Sequence, residues 1–423
     1  MNSRPAFVAV GMAINALVLA RGVILMLALS YIDLGYVALV QAAITFVGML
    51  HFGLLNGGYR LLCHAGPRTR QRIVDLAYTG FAACAAALSV VGFGVAAAMS
   101  DPIIAHIAAF AVVGGVATLM RAWMMNELLA TQRLGAANAI NALSSLASVA
   151  VLTLLIPQEP IAPPALIAVS AIAAQPLVFV ALGLATGSAL RPRSFKVSRW
   201  LVRMVLRAGL SLFVAGLALQ GIPLVERAYV SRELGLEALG HLYLAFLFVT
   251  LFQMAPNLIQ QVFLAPVVER WRAKDTSAVR RELRRFFAAT MAYCGAVALA
   301  LWVLAEPLVA LALPQYTADL RWVYGLAPGL IVFALSAPFT LSCNVMIDYR
   351  WYLIAYMGGA AVTLGVFGAA VMLGQALSLD QVVGLRSAGL ALMGLTLIIG
   401  SHRLTVRAPE LRLFGPAPLT ARA

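Results

Sequence analysis

The feature that most constrains this chain is a succession of long apolar stretches running from end to end. A hydrocarbon core about 30 Å thick is crossed by a helix of about 20 apolar residues. Stretches of that length lie near residues 7–31, 35–61, 74–99, 103–129, 135–156, 164–187, 206–231, 238–264, 286–305, 321–347, 352–375 and 382–401. None alternates apolar with polar residues as a barrel strand does, so each must satisfy its own backbone as a helix. Breakers separate them at Ser100-Asp101-Pro102, at 157–164, at Arg191-Pro192 and at 376–380. Only 11% of the 423 residues are charged, under half of the roughly 25% usual in a soluble domain. The expected fold class is an all-α integral membrane protein of about twelve transmembrane helices. A soluble enzyme, a nucleic-acid-binding protein and a single-span receptor are excluded. The first stretch is too long for a signal-peptide core and has no convincing cleavage site, so it is expected to be a mature helix.

Charge gives the orientation. With the N-terminus placed in the cytoplasm, that side collects most of the 30 basic residues. They include Arg4, the group Arg60, Arg68, Arg70 and Arg72, and Arg133. Two longer runs extend from Arg191 to Arg207 and from Arg270 to Arg285, and Arg350 and the tail residues Arg403, Arg407, Arg412 and Arg422 follow. The opposite loops carry acids, among them Asp33, Asp101, Glu159, Glu233, Glu306 and Asp380. The positive-inside rule then puts both termini in the cytoplasm and makes the span count even. The net charge of +14 reports topology and contact with anionic lipid headgroups rather than a nucleic-acid partner.

Chemistry of other kinds finds no pattern. The four cysteines, Cys63, Cys84, Cys294 and Cys343, lie in or beside apolar runs without CxxC spacing. The five histidines are scattered with no metal-binding spacing, and no phosphate-binding GxxxxGK[ST] motif occurs. No cofactor or metal is expected, and any energy input comes from gradients. The loops opposite the cytoplasm are all short and neither face has an extramembrane domain large enough for an active site, so function is expected inside the bilayer.

The two halves are alike. Leu34-Gly35 precedes the second stretch and Leu239-Gly240 the eighth, an offset of 205 residues that also carries Thr45 onto Thr250. Both stretches end in a basic loop. Two parallel six-helix repeats around a central cavity follow, an arrangement that suits alternating access. The expected domains are an N-terminal lobe at 1–190, a basic linker at 191–205, a C-terminal lobe at 206–402 and a cytoplasmic tail at 403–423. On the eighth stretch Tyr243, Phe246, Thr250, Gln253, Asn257, Gln260 and Gln261 fall on one face. The second carries Gln41, Thr45, Gly48, Asn56 and Tyr59 at the equivalent phase. This pair is expected to line water. Asn138, Asn141, Ser145 and Ser148 on the fifth stretch are expected to bond helices together.

An ionisable group inside a span costs at least about 2.5–3.5 kcal/mol and demands a reason. Arg21 lies deep in the first stretch and Arg121 deep in the fourth, with Glu127 nearer the cytoplasm; Glu226 and Arg227 lie towards the far end of the seventh. Arg386, near the far, non-cytoplasmic end of the twelfth, reads as a residue snorkelling to the interface. Guanidinium groups stay charged and hold phosphate oxygens bidentately, so Arg21 and Arg121 point to a phosphate-bearing anion. Carboxylate pairing, of Arg121 with Glu127 for example, is the structural alternative, and a six-residue separation sets that pair on different faces. Arg227 is a further candidate contact. Arg60 meets either the ligand at the cytoplasmic mouth or a lipid phosphate. Glu226 and Glu127 are candidate coupling carboxylates or partners of these arginines.

Several stretches resemble the polysaccharide-exporter branch of the multidrug/oligosaccharidyl-lipid/polysaccharide (MOP) superfamily, which includes the O-antigen-type flippases. The opening reads Tyr31-Ile-Asp-Leu-Gly35-Tyr36 through Phe52-Gly53-Leu54 to Arg60; the seventh helix gives Glu226-Arg-Ala-Tyr-Val, leading to Ala238-Leu-Gly240-His-Leu-Tyr243. Pro266 with its basic segment, and Glu306-Pro307-Leu308 to Tyr316, extend the likeness over nearly the whole chain. The resemblance implies a flippase moving undecaprenyl-(pyro)phosphate-linked oligosaccharide, an O-antigen or exopolysaccharide unit, to the outer leaflet of the bacterial inner membrane. It implies that the arginines hold the phosphate while Gln41, Thr45, Asn56, Thr250, Gln253 and Asn257 accommodate sugars. It also implies membrane lipids and proteins of polysaccharide polymerisation and chain-length control as partners. Glu226 stands where an aspartate is more usual, and twelve spans depart from the fourteen of lipid II flippases. Arg21 takes the place of the first-helix carboxylate of drug antiporters. The competing readings are a membrane-embedded polysaccharide polymerase or ligase, a small-molecule antiporter like those of the multidrug (MATE) branch, and a non-transporting scaffold.

Overall fold

A computed structural model describes residues 4–63, 65–155, 163–187, 192–195, 198–346 and 349–407. Glu159, Arg191, Lys196, Arg412 and Arg422 lie outside the described residues, with most of the 157–164 breaker and of the tail; so do the side chains of Arg4, Gln261, Arg272, Arg403 and Arg407. Among the described residues there is no strand, and fifteen α-helices account for the chain: α1 (Arg4–Ala28), α2 (Tyr31–Gly48), α3 (Leu54–Leu62), α4 (Pro67–Ala97), α5 (Pro102–Ala130), α6 (Leu134–Leu155), α7 (Pro164–Ala185), α8 (Arg199–Glu233), α9 (Leu236–His241), α10 (Tyr243–Arg272), α11 (Thr276–Ala312), α12 (Leu320–Leu335), α13 (Ala337–Met346), α14 (Arg350–Met372) and α15 (Leu379–Arg407). Twelve helical spans are long and apolar enough to cross a membrane. The chain is a multi-pass membrane protein.

Several boundaries differ from the hydropathy reading, for physical reasons. Helices α8 and α11 start at Arg199 and Thr276, inside the basic segments. Hydropathy registers only the apolar part, whereas arginine and lysine are good helix formers and extend the same helix into water. The start of α11 is fixed by Asp275, whose carboxylate accepts from the Ala278 N–H at 3.1 Å. The second stretch is not one helix over 35–61. It stops at Gly48 and resumes at Leu54, with Phe52 (φ 49°) and Gly53 (φ 87°) in the left-handed region between. Gly53 also lies against the backbone of Gly209 on α8, so closely that a Cβ there would collide with it. The break is held by tertiary contact with α8. His51, fully buried beside Phe213 with ring centroids 5.3 Å apart, accepts the Gly53 N–H on Nδ1 at 3.2 Å.

The chain divides into two compact units, Met1–Tyr243 and Leu244–Ala423. In the first, α5 packs on α7, α2 and α4, while α6 packs on α7 and α1. Trp123, Phe81, Tyr78, Leu62 and Val205 build a core where α3, α4, α5 and α8 meet. The offset of 205 reappears in space where α2 crosses α9. Gly35 lies against the Leu236 backbone and Gly240 against the Tyr31 backbone. Tyr31 and Leu236 are themselves 205 apart, so the contact is reciprocal, as a two-fold contact is. In the second unit α12 and α14 both pack on α15. Phe286, Leu283, Val267 and Phe339 form a core between α10, α11 and α13. The Trp322 indole donates to Asp380 at 2.8 Å, and the Gly329 N–H donates to the Ser387 hydroxyl at 3.1 Å.

Candidate functional site

The first unit gathers arginines from three helices around neutral hydrogen-bonding groups. Arg21 on α1 is 8% exposed. Its Nη1 donates to the Ser148 hydroxyl on α6 at 2.7 Å and to the Gln175 side-chain carbonyl on α7 at 3.1 Å. These acceptors are themselves fixed: the Ser148 hydroxyl donates to the Ala171 carbonyl at 2.6 Å, and the Gln175 amide donates to the Ser145 hydroxyl at 2.9 Å. Arg121 on α5 donates from Nη2 to the Asn141 side-chain Oδ1 on α6 at 2.8 Å. Its guanidinium also lies 5.5 Å from the centroid of the buried Phe179 ring, within cation–π range. The positive charge of Arg21 acts on Arg121, so the pair carries mutual repulsion. Among the described residues neither arginine makes an ion pair, with Glu127 or any other carboxylate.

Tyr243, at the first position of α10, adjoins this cluster. It is 1% exposed, its hydroxyl accepts from the Gln41 amide on α2 at 3.1 Å, and both Arg21 and Arg227 act on it electrostatically. Arg227 on α8 donates through Nη1 to the carbonyl of Ala38, one turn before Gln41. The adjacent Glu226 is buried. Arg21, Arg121, Arg227 and Gln41, read separately in the sequence, therefore belong to one polar neighbourhood with Tyr243.

The remaining candidates stand elsewhere. Thr45 follows Gln41 by one turn, is exposed, and donates to the Gln41 backbone carbonyl at 2.8 Å. Asn56 and Arg60 lie on α3, beyond the break. Glu127 is buried at 1% exposure near the Tyr78 phenol, which feels its charge. Thr250, Gln253 and Asn257 lie on α10 in the second unit; Thr250 and Asn257 are exposed there, and the Thr250 hydroxyl turns back to the Phe246 carbonyl at 3.4 Å. Asn141 and Ser148 do bond across helices, and those bonds run to the arginines. Sequence reading did not single out Gln175 or Phe179: each is one residue on a uniformly apolar helix, with no periodic companion to mark it. No cluster of three or more His, Cys, Asp or Glu able to hold a metal occurs among the described residues.

No protein-family model and no curated protein sequence matches this chain. Solved structures do match its fold over nearly all its length. An inward-facing multidrug resistance transporter of the MATE family, in the MOP superfamily, gives a TM-score of 0.70 at 12% identity, covering 95% of this chain and 98% of that one. An outward-facing MATE family transporter gives 0.67 at 12% identity, covering 96% and 94%. A MOP superfamily transporter from Pyrococcus furiosus, described as having a binding pocket of reversed polarity that suggests a different function, gives 0.66 at 12% identity, covering 95% and 94%. The chain has a MATE-like transporter fold.

Proposed function

We propose that this protein is an alternating-access transporter of a phosphate-bearing anion, and that its substrate is a lipid-linked oligosaccharide carried across the bacterial inner membrane, with both termini cytoplasmic. The observation that carries the reading is the Arg21–Arg121 pair, Arg21 buried and Arg121 half-buried, with their hydrogen bonds running only to neutral groups. Charge taken out of water without a partner is costly, and a ligand that brings negative charge offsets that cost on arrival. Guanidinium forks hold phosphate oxygens in two parallel bonds, and two forks suit a pyrophosphate better than a lone carboxylate. Alternating access between two six-helix lobes, 1–190 and 206–402, is supported by the inward- and outward-facing forms of transporters sharing this fold. Membrane lipids and the proteins that polymerise the exported glycan are the partners this reading calls for.

A second reading, a small-molecule antiporter, draws on the multidrug resistance transporters of the same fold. A site built on arginines repels the cationic compounds such a pump would have to bind, which favours the anion. Calorimetry in nanodiscs decides between them, with geranyl pyrophosphate as the anionic probe and ethidium as the cationic one. Geranyl pyrophosphate is expected to bind wild type and to lose about 30-fold in affinity in Arg21→Ala, since stranding one half of a buried charged contact costs roughly 2 kcal/mol or more. Ethidium binding that is indifferent to Arg21, with no pyrophosphate binding, overturns the proposal. A polymerase or ligase would instead lengthen glycan chains in detergent with purified protein alone.

A further inference from the structure

The outer face of the first turns of α8 carries charge that the protein leaves uncompensated. Glycine contacts define the inner face: a Cβ on Gly57 or Gly209 would collide with backbone across the α3–α8 pair, at Val205 and at Gly53. Leu201 and Val205 are buried on that side, and Val202, Met204 and Leu206 flank them. Arg203 and Arg207 each lie two residues from Val205, about 200° around the helix, so they project the other way, and both are exposed. Arg199 is exposed one turn before Arg203. Among the described residues none of the three makes an ion pair or a side-chain hydrogen bond. Cations one turn apart on a helix repel each other, and α8 offers no carboxylate before Glu226. The basic start of α11 is built differently: there Glu282 pairs with both Arg270 and Arg285.

The surroundings of this stripe identify the anion that would complete it. Helix α8 has 35 residues, about 52 Å at 1.5 Å per residue. A hydrocarbon core of about 30 Å leaves about 22 Å of that length for the two headgroup layers. Trp200, 68% exposed, shares the outer face with the arginines, and Phe195, 72% exposed, precedes it. Exposed aromatic side chains of this kind mark the membrane interface. One turn beyond Arg207 the same face becomes aliphatic at Leu210, which is 51% exposed, and continues through Val214 and Leu217. The approach to the helix is fixed as well, since the buried Asp75 carboxylate on α4 accepts the Arg193 N–H at 2.8 Å. We infer that the outer face of α8 from Arg199 to Arg207 is a binding site for the headgroup of an anionic phospholipid. Arg203 and Arg207 hold its phosphate oxygens, Trp200 lies among the headgroups, and Leu210 meets the acyl chains. The inference draws on the multi-pass architecture alone and stands whichever solute is carried.

The test titrates the full chain in detergent with dioleoylphosphatidylglycerol or dioleoylphosphatidylcholine and counts bound lipid by native mass spectrometry. Wild type is expected to bind the anionic lipid about tenfold or more tightly than the zwitterionic one. The double variant Arg203→Gln, Arg207→Gln changes only exposed side chains, so the fold should tolerate it. It is expected to bring the two lipids within about threefold of each other by weakening the anionic one alone. The double variant Arg281→Gln, Arg285→Gln removes the same number of charges from α11 and is expected to keep the preference. Excess inorganic phosphate is expected to leave lipid binding unchanged. Equal binding of the two lipids by wild type overturns the inference, as does a preference that survives in the α8 variant. Loss of the preference in the α11 variant to the same extent also overturns it, because net charge and not this face would then attract the lipid. Displacement of the anionic lipid by inorganic phosphate would assign the arginines to a soluble anion and overturn it as well.

Discussion

The two units are built from similar apolar helices and differ in where they place arginines within the spans. In the second, three buried hydroxyls turn back onto carbonyls one turn earlier: Thr340 to Ser336, Ser342 to Pro338 and Thr363 to Gly359. Among its described residues the buried arginine and carboxylate side chains, Arg280 and Asp319, stand near helix ends. In the first, polar side chains reach across helices, and the groups they reach include Arg21 and Arg121. Hydroxyls satisfied within one helix ask nothing of their neighbours, whereas a guanidinium in a span needs a purpose-built set of acceptors. A crossing that is reciprocal at an offset of 205 thus coexists with a gathering of arginines in the first unit.

Removing the chemistry is the most forceful way to break this contrast. The double variant Arg21→Ala with Arg121→Ala is expected to lower transport in cells by 30-fold or more, whereas the triple variant Thr250→Ala, Gln253→Ala, Asn257→Ala in the second unit costs only about fivefold, the worth of a neutral hydrogen bond. Equal losses would erase the asymmetry. Gln175→Leu sharpens it. The substitution leaves Arg21 one acceptor short and frees the Ser145 hydroxyl, and transport is expected to fall about tenfold, because bonds to charged groups contribute roughly 1.5–3 kcal/mol. Ser387→Ala, which strips the acceptor from the Gly329 N–H in the second unit, is expected to lower the melting temperature and leave probe affinity unchanged.

The spans were legible because a bilayer imposes one length and one polarity on every crossing helix. The intramembrane arginines were legible for the converse reason, as exceptions to that polarity. What hydropathy cannot report is set by neighbours distant in sequence. The stop at Gly48 is invisible because apolar residues continue on both sides, and the break is made by Gly53 meeting Gly209. The acceptors of Arg21 come from α6 and α7, 127 and 154 residues away in sequence. Ser148 could be read as a residue bonding two helices, and only the packing of α1 against α6 shows that it bonds an arginine.

The reciprocal crossing of α2 and α9 gives a smaller effect. Gly35→Val and Gly240→Val each force a side chain into facing backbone, and each is expected to cost about 1–3 kcal/mol, the usual penalty of overpacking. Gly365 on α14 has open space where its Cβ would go, so Gly365→Ala is expected to be neutral or to stabilise by up to about 1 kcal/mol through helix propensity. Thermal unfolding of the three variants in one detergent checks the difference. Equal tolerance at Gly35 and Gly365 would mean that the crossing yields without cost.

The smallest effect comes from a charge at a helix end exposed to water. Asp275 caps α11, and hydrogen bonds from the Ala278 N–H and the Ser277 hydroxyl hold its carboxyl below the usual range. A carboxylate whose folded value is depressed stabilises the folded form above its unfolded value of about 3.9, and that contribution fades as pH falls through the folded value. Asp275→Ala is therefore expected to speed amide exchange over residues 276–280 by a few-fold at neutral pH, with the difference from wild type shrinking below about pH 4. Asp275→Asn keeps an acceptor oxygen and loses the titration, so its first turn should stay protected with no such pH dependence. Transport should be indifferent to both, because the carboxylate is exposed and caps a helix end in the other unit, far from Arg21 and Arg121 in the sequence. A transport defect in Asp275→Ala as large as that of Gln175→Leu would show that polar groups at the helix ends of the second unit matter as much as those buried in the first.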